Sequence, residues 1–140
     1  MLLDPQKSKC KKNDKIIVSK DLNTDRKHVA ENLKQNNVRQ YQLDGVIIKN
    51  QKTCDYLVLN DDSKKAFFIE LKGRNVSEAI SQFEGAILKT KSELLEYSLK
   101  FRIISSKSNT HEIRDSKIIK FQKTYKDLKI KTKELRESIE

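Results

Sequence analysis

The chain has 140 residues and a mass of 16.4 kDa, enough for one domain over 1–140 and too little for two ordinary ones. Leu, Ile, Val and Phe supply 39 residues, with one Pro and three Gly, so a packed core is affordable and a low-complexity or loop-rich chain is excluded. Lys and Arg number 30 against 20 Asp and Glu, a net charge of +10 with a pI near 9.6, which points to a polyanionic partner, most often nucleic acid. Since 24 of the 30 basic residues are Lys, a lysine-rich proteome would give the same bias without any binding role. No apolar run reaches membrane-spanning length, and the start (Met1, Leu2, Leu3, then Asp4-Pro5 and lysines) lacks a signal-peptide stretch. Cys10 and Cys54 are isolated from each other and from any CxxC or Cys/His cluster. A disulfide scaffold or zinc site is therefore disfavoured, and a reducing cytoplasmic setting is expected.

The first fifteen residues are polar and basic and are expected to be frayed or lightly packed. Ile16-Ile17-Val18 reads as a short strand. Asp25 to Asn36 reads as a helix, with Val29, Ala30 and Leu33 on one side and Asn36-Asn37 as its stop. From Arg39 the texture becomes β-rich (Tyr41, Leu43, Val46, Ile47, Ile48), with Asp44-Gly45 as turn chemistry. A polar turn at Asn50 to Thr53, the strand Asp55 to Leu59, a second turn at Asn60 to Ser63 and the strand Ala66 to Lys72 complete an antiparallel meander. A helix from Val76 to about Tyr97 follows, with Val76, Ala79, Ile80, Phe83, Ala86, Ile87 and Leu94 on one face and Asn75/Glu78 as a capping box. Leu99 to Ser105 is a fourth strand, Arg114 to Tyr125 a basic helix and Leu128 to Thr132 a last short strand. The order defines an α/β layered domain.

Ala66-Phe67-Phe68-Ile69-Glu70-Leu71-Lys72 is apolar on both pleat faces until Glu70, as in a central strand covered on both sides. Glu70 and Lys72 then share one face near its end, where charge is costly unless paired or bound to a cation. Asp55 heads the preceding strand, and the meander can bring it close to Glu70. Two carboxylates and an ammonium suit metal-dependent phosphodiester hydrolysis: hard oxygen ligands hold Mg²⁺, which leaves several waters on it, and the lysine orients the attacking water or offsets charge. Acid-x-Lys alone is weak, since roughly three matches are expected by chance and five occur, at Asp25, Asp62, Glu70, Asp115 and Asp127. Only Glu70-Lys72 closes an apolar strand that follows an Asp-headed one.

Cys54-Asp55-Tyr-Leu-Val-Leu, Phe-Phe-Ile-Glu70-Leu-Lys72-Gly and the helix after them resemble the PD-(D/E)xK nuclease superfamily, over about residues 40–105. That superfamily includes type II restriction enzymes, archaeal Holliday-junction resolvases and phage-type exonucleases. The resemblance implies a restriction-endonuclease-like αβββαβ core with a mixed central sheet flanked by helices. It also implies Asp55 and Glu70 as metal ligands, the Leu71 carbonyl as a further ligand, Lys72 as the catalytic lysine, and Mg²⁺ as cofactor with Mn²⁺ able to substitute. Cys54 stands at the degenerate position of the Pro.

Two auxiliary positions follow from the same resemblance. Some members add an acid from the helix before the strands, which Glu31 matches, although a solvated helix-surface Glu is the blander reading. Others carry Gln and Tyr four residues apart after the lysine; Gln82 fits, and Ala86 stands where the Tyr would be. His28 and His111 read as surface residues, and no serine nucleophile pattern or Gly-rich phosphate loop is present. Arg74, Lys117, Lys120 and Lys123, with Lys49, Lys52, Lys89 and Lys91, offer contacts to a nucleic-acid backbone, DNA before RNA. At this size there is no separate recognition domain, so weak sequence selectivity, structure selectivity or recruitment by a partner is expected; a homodimer or a recruiting protein partner is the assembly envisaged. The alternative is a non-catalytic nucleic-acid-binding or protein-interaction module on the same fold.

Overall fold

The computed structural model describes residues 1–73, 75–106 and 115–140. In chain order its elements are β1 (Ile16–Lys20), β2 (Lys27–Glu31), β3 (Val38–Gln42), β4 (Tyr56–Asn60), β5 (Lys65–Lys72), α1 (Glu78–Thr90), β6 (Ser98–Ser105), α2 (Ser116–Thr124), β7 (Leu128–Thr132) and β8 (Glu134–Ser138). β3-β4-β5-β6-β7 form one mixed sheet and β1-β2-β8 a smaller one. β3, β4 and β5 meander antiparallel, whereas β6 and β7 add on parallel, each reached through a helix-bearing connection. The chain is thus mixed α/β, with the three-strand meander that its turns predict.

β5 is covered on both faces, as its double-sided apolar sequence requires. Ala66 and Phe68 face the helices, where Phe68 stacks on Phe101 at 5.2 Å and Phe83 of α1 and Phe121 of α2 meet Phe101 edge-on at 5.0 and 4.9 Å. Phe67, Ile69 and Leu71 face the small sheet, against Ile17, Ala30, Leu135 and Ile139. Glu70 is the one charged side chain on this strand carried fully inside, at 2% exposure. Among the described residues, no helix is long and apolar enough to cross a membrane.

The helix expected over Asp25 to Asn36 does not form. His28, Val29 and Ala30 are buried consecutively in β2, between β1 and the carboxy-terminal β8. Both flanks of the strand are occupied, so long-range pairing overrides the helical spacing of Val29, Ala30 and Leu33. The leading α of an αβββαβ core is therefore a β-hairpin here. β8 carries no apolar alternation beyond Leu135 and Ile139 and was not expected. His28, read as a surface residue, is fully buried, while His111 lies outside the described residues.

Three smaller differences have local causes. The amino terminus is mostly exposed, as expected, yet it is anchored: Leu3 is buried, and the Leu2 and Leu3 amides both donate to the Glu93 carboxylate at 3.0 Å. That recruitment of Glu93 accompanies the end of α1 at Thr90, whose hydroxyl donates to the Ala86 carbonyl at 2.8 Å, and a single 3₁₀ turn (Lys91–Glu93) follows instead of helix to Tyr97. The expected Asn75/Glu78 capping box is not what starts the helix: α1 begins at Glu78 with Ser77 at the N-cap position, and Asn75, left-handed at φ 61°, meets Glu78 side chain to side chain (Nδ2 to Oε1, 2.7 Å). Asp44-Gly45 is the turn expected, Gly45 sitting at φ 77°.

Gly85 of α1 lets the loop before β4 lie directly on the helix, because a Cβ there would overlap the Lys52 carbonyl. Gly85→Ala is expected to push that loop away and to cost about 1–3 kcal/mol as overpacking, read as a lower Tm. It is also expected to move Asp55, three residues on.

Candidate functional site

Asp55 and Glu70 meet because β4 and β5 pair in a register that sets Tyr56 against Ile69; one residue further, Asp55 faces Glu70. The Asp55 amide donates to Glu70 Oε1 at 3.1 Å, and the Leu71 amide donates to Asp55 Oδ2 at 2.9 Å. Each carboxylate is thus held by the backbone of the other's strand. Lys72, two residues along β5, places Nζ 4.0 Å from Glu70 Oε2, 3.3 Å from Glu78 Oε2 and 3.1 Å from Gln82 Oε1. The structure brings Asp55, Glu70, Lys72 and Gln82 into one cluster.

Burial and like charge set the electrostatics. The Glu70 carboxyl is pushed up to about 9, first by burial and then by the Asp55 charge, with Lys72 pulling the other way. Asp55 is also raised, by burial first; the Leu71 amide opposes this, and the charges of Asp21 and Asp44 add to it. Neighbouring Cys54 is fully buried, and burial pushes its thiol well up, so it is an inert core residue. Two buried carboxylates that resist ionising together are what a bound cation would relieve. Among the described residues, no group of three or more His, Cys, Asp or Glu side chains is placed to hold an ion. An ion here would draw on two carboxylates, a backbone carbonyl such as that of Leu71, and water. That oxygen-rich, partly hydrated set suits Mg²⁺ or Mn²⁺ and not Zn²⁺.

Glu31 does not join the cluster. It is the last residue of β2, five residues and so about 16 Å along the chain from Arg26 at normal strand rise, and pairs with Arg136 at 3.6 Å. Ala86 is fully buried against the sheet, so the second half of the Gln/Tyr pattern is a packing position. Lys117, Lys120 and Lys123 lie exposed on α2, and Lys117 Nζ donates to Ser81 Oγ at 2.6 Å, beside Gln82 on α1. Arg74 lies outside the described residues.

Three neighbours, Glu78, Arg26 and Asp21, carry no site role in the sequence reading. Glu78 stands four residues before Gln82, hence on the same face of α1, so singling out Gln82 already implicates it. Arg26 and Asp21, from the β1–β2 turn, carry no local signal. Arg26 donates to Asp21 Oδ2 from Nη2 at 2.8 Å and to Ser106 Oγ at the end of β6. Its guanidinium would lie 3.1 Å from a Cβ on Gly73, so it packs closely over the glycine after Lys72.

No protein-family model, curated protein or solved structure matches this chain.

Proposed function

We propose that this protein is a Mg²⁺-dependent nuclease that hydrolyses phosphodiester bonds, in DNA before RNA. The observation that carries the proposal is the convergence of Asp55, Glu70 and Lys72 through the β4–β5 register. Asp55 and Glu70, with the Leu71 carbonyl, would hold the ion. When bound, Mg²⁺ polarises the phosphoryl oxygen and lowers the pKa of the attacking water. Lys72 Nζ donates a hydrogen bond to that water or to a non-bridging oxygen, offsetting charge that develops in the transition state. Gln82 and Glu78 hold the Lys72 ammonium on the helix side of the cluster. The exposed lysines of α2 contact phosphates and so position the backbone without reading bases.

The metal half of this reading is tested by melting. Mg²⁺ or Mn²⁺ at millimolar concentration is expected to raise the Tm of the wild type near pH 8, because an ion that binds only the folded state stabilises it by mass action. Asp55→Asn should remove that rise. An equal rise in both proteins would place the ion elsewhere.

The nucleic-acid half is tested by salt. Binding of duplex DNA is expected to weaken with a log–log slope of roughly −0.9 per phosphate contacted. Charge reversal at Lys117, Lys120 and Lys123 should flatten the slope while the metal-induced Tm rise persists. A flat slope in the wild type would favour a protein-interaction module instead. One observation supports that second reading: Lys72 lies nearer Glu78 and Gln82 than Glu70, as it would in a purely structural ion-pair cluster.

A further inference from the structure

A cleft of about 330 Å³ opens beside Asp55, lined also by Asp21, Leu22, Asp44, Lys9 and Lys20. Leu22 is out of place in it. At 93% exposure it is the most exposed large apolar side chain among the described residues. It sits in the β1–β2 turn, in the run Asp21-Leu22-Asn23-Thr24-Asp25, where the other residues are the polar types that turns favour. Among the described residues it belongs to neither hydrophobic cluster.

The turn is nevertheless fixed to the main sheet from two sides. Arg26 ties Asp21 to Ser106 at the end of β6 and packs over Gly73. The Tyr56 hydroxyl donates to the Lys20 carbonyl at 3.0 Å, which anchors the hairpin beside the first residue of β4. Leu22 is therefore presented at a set position next to Asp55. Lys20 and Lys9 stand on the same cleft, the latter with Nζ 5.6 Å from the Tyr56 ring centroid. The cleft thus holds one apolar tip, two lysines and the carboxylates of Asp21, Asp44 and Asp55, and a nucleic-acid strand would set its phosphates on Lys9 and Lys20 and its bases against the leucine.

We infer that Leu22 is a wedge that enters a base step next to the phosphate being cut, which makes mispaired or bulged duplex the favoured substrate. The inference rests on the nuclease reading of Asp55, Glu70 and Lys72. Apolar wedges unstack a step at a cost of a few kcal/mol, and that cost is smallest where pairing is already broken. The leucine therefore matters most on intact duplex and least on duplex already opened.

The test compares full-length wild type and Leu22→Ala on two DNA duplexes of one sequence, fully paired and carrying a single bulge, in Mg²⁺. The substitution touches no buried contact, so an unchanged Tm is expected. Cleavage of paired duplex should fall by about 10-fold or more, the equivalent of the lost unstacking, and cleavage of the bulged duplex should change by less than about 2-fold. In EDTA, 2-aminopurine within the paired duplex should brighten with wild type and stay dark with Leu22→Ala. Equal loss on both duplexes, or no loss on either, overturns the wedge. Should wild type cut nothing in Mg²⁺, the nuclease reading fails, and the fluorescence arm alone decides the wedge: brightening lost in Leu22→Ala supports it, and any other result overturns it.

Discussion

Glu70→Gln is expected to lower metal-dependent cleavage by more than ~100-fold while Tm is kept or raised. The amide is nearly isosteric and can still accept from the Asp55 amide, the bond that Glu70 Oε1 makes now. It cannot supply the negative charge that a hard cation needs. Stability should not suffer, because the substitution removes one of two buried carboxylates that repel each other. The folded-state carboxyl is raised to about 9 from 4.5, so the folded protein holds this proton more tightly than the unfolded chain. Metal-free wild type should therefore lose stability as pH rises from about 4.5 toward 9, and Glu70→Gln should lose less. Lys72→Ala is the complementary change. It keeps both carboxylates, so the metal-induced Tm rise should persist while turnover falls by about 10²–10³-fold. Were the cluster a structural ion pair, both variants would instead melt well below wild type, since an unpaired buried charge costs about 3–5 kcal/mol.

The second large effect is structural and lies away from the cluster. Arg102 on β6 is buried at 2% exposure, with Nε 2.7 Å from Glu137 Oε2 and Nη1 2.7 Å from Asp127 Oδ1. His28 Nε2 lies 2.7 Å from the same Glu137 oxygen, and the guanidinium lies 5.4 Å from the Phe67 ring centroid. This network fastens β2 and β8 of the small sheet to β6 of the large one. Glu137→Ala leaves buried Arg102 with Asp127 as its remaining carboxylate and takes the carboxylate from His28 Nε2, and is expected to cost about 1–3 kcal/mol. Cleavage per folded molecule should be kept, because Arg102 points away from Glu70. The network also has a pH signature. Burial would raise the Glu137 carboxyl, but the bonds from His28 and Arg102 outweigh it and hold the group at about 2, down from 4.5. Its stabilisation is thus present above pH 4.5 and is lost as pH falls from there toward 2. Chemical denaturation of wild type and Glu137→Ala at pH 7 and pH 3 should show the two converging in acid.

The legible parts of this molecule are those whose signal is local. Ala66 to Lys72 announces a central strand because both of its faces are apolar, and the polar turn at Asn60 to Ser63 sets its register against β4. Asp55, Glu70 and Lys72 could be joined on those grounds alone, whereas Gln82 was implied only by the resemblance to the nuclease superfamily. What stayed hidden depends on partners distant in sequence. Val29 and Ala30 have spacing that serves a helix or a strand equally, and β8, about a hundred residues later, decides between them. The burial of His28 and Arg102 follows from the same distant strand. The end of α1 coincides with amides at Leu2 and Leu3 capturing Glu93, a partner some ninety residues away. Arg26 comes to lie over Gly73, next to Lys72, through the fold of the β1–β2 hairpin and not through any local sequence signal.

The most direct measurement incubates the purified wild-type chain with supercoiled plasmid, linear duplex and RNA in Mg²⁺, in Mn²⁺ and in EDTA, beside Glu70→Gln and Lys72→Ala. The expected result is cleavage of DNA by wild type in either metal, none in EDTA, and cleavage lower by about 100-fold or more in the two variants, with all three proteins melting as folded domains. Intact nucleic acid in every lane containing folded wild type, together with both variants melting far below it, would contradict the account and leave Asp55, Glu70 and Lys72 as a buried ion-pair cluster.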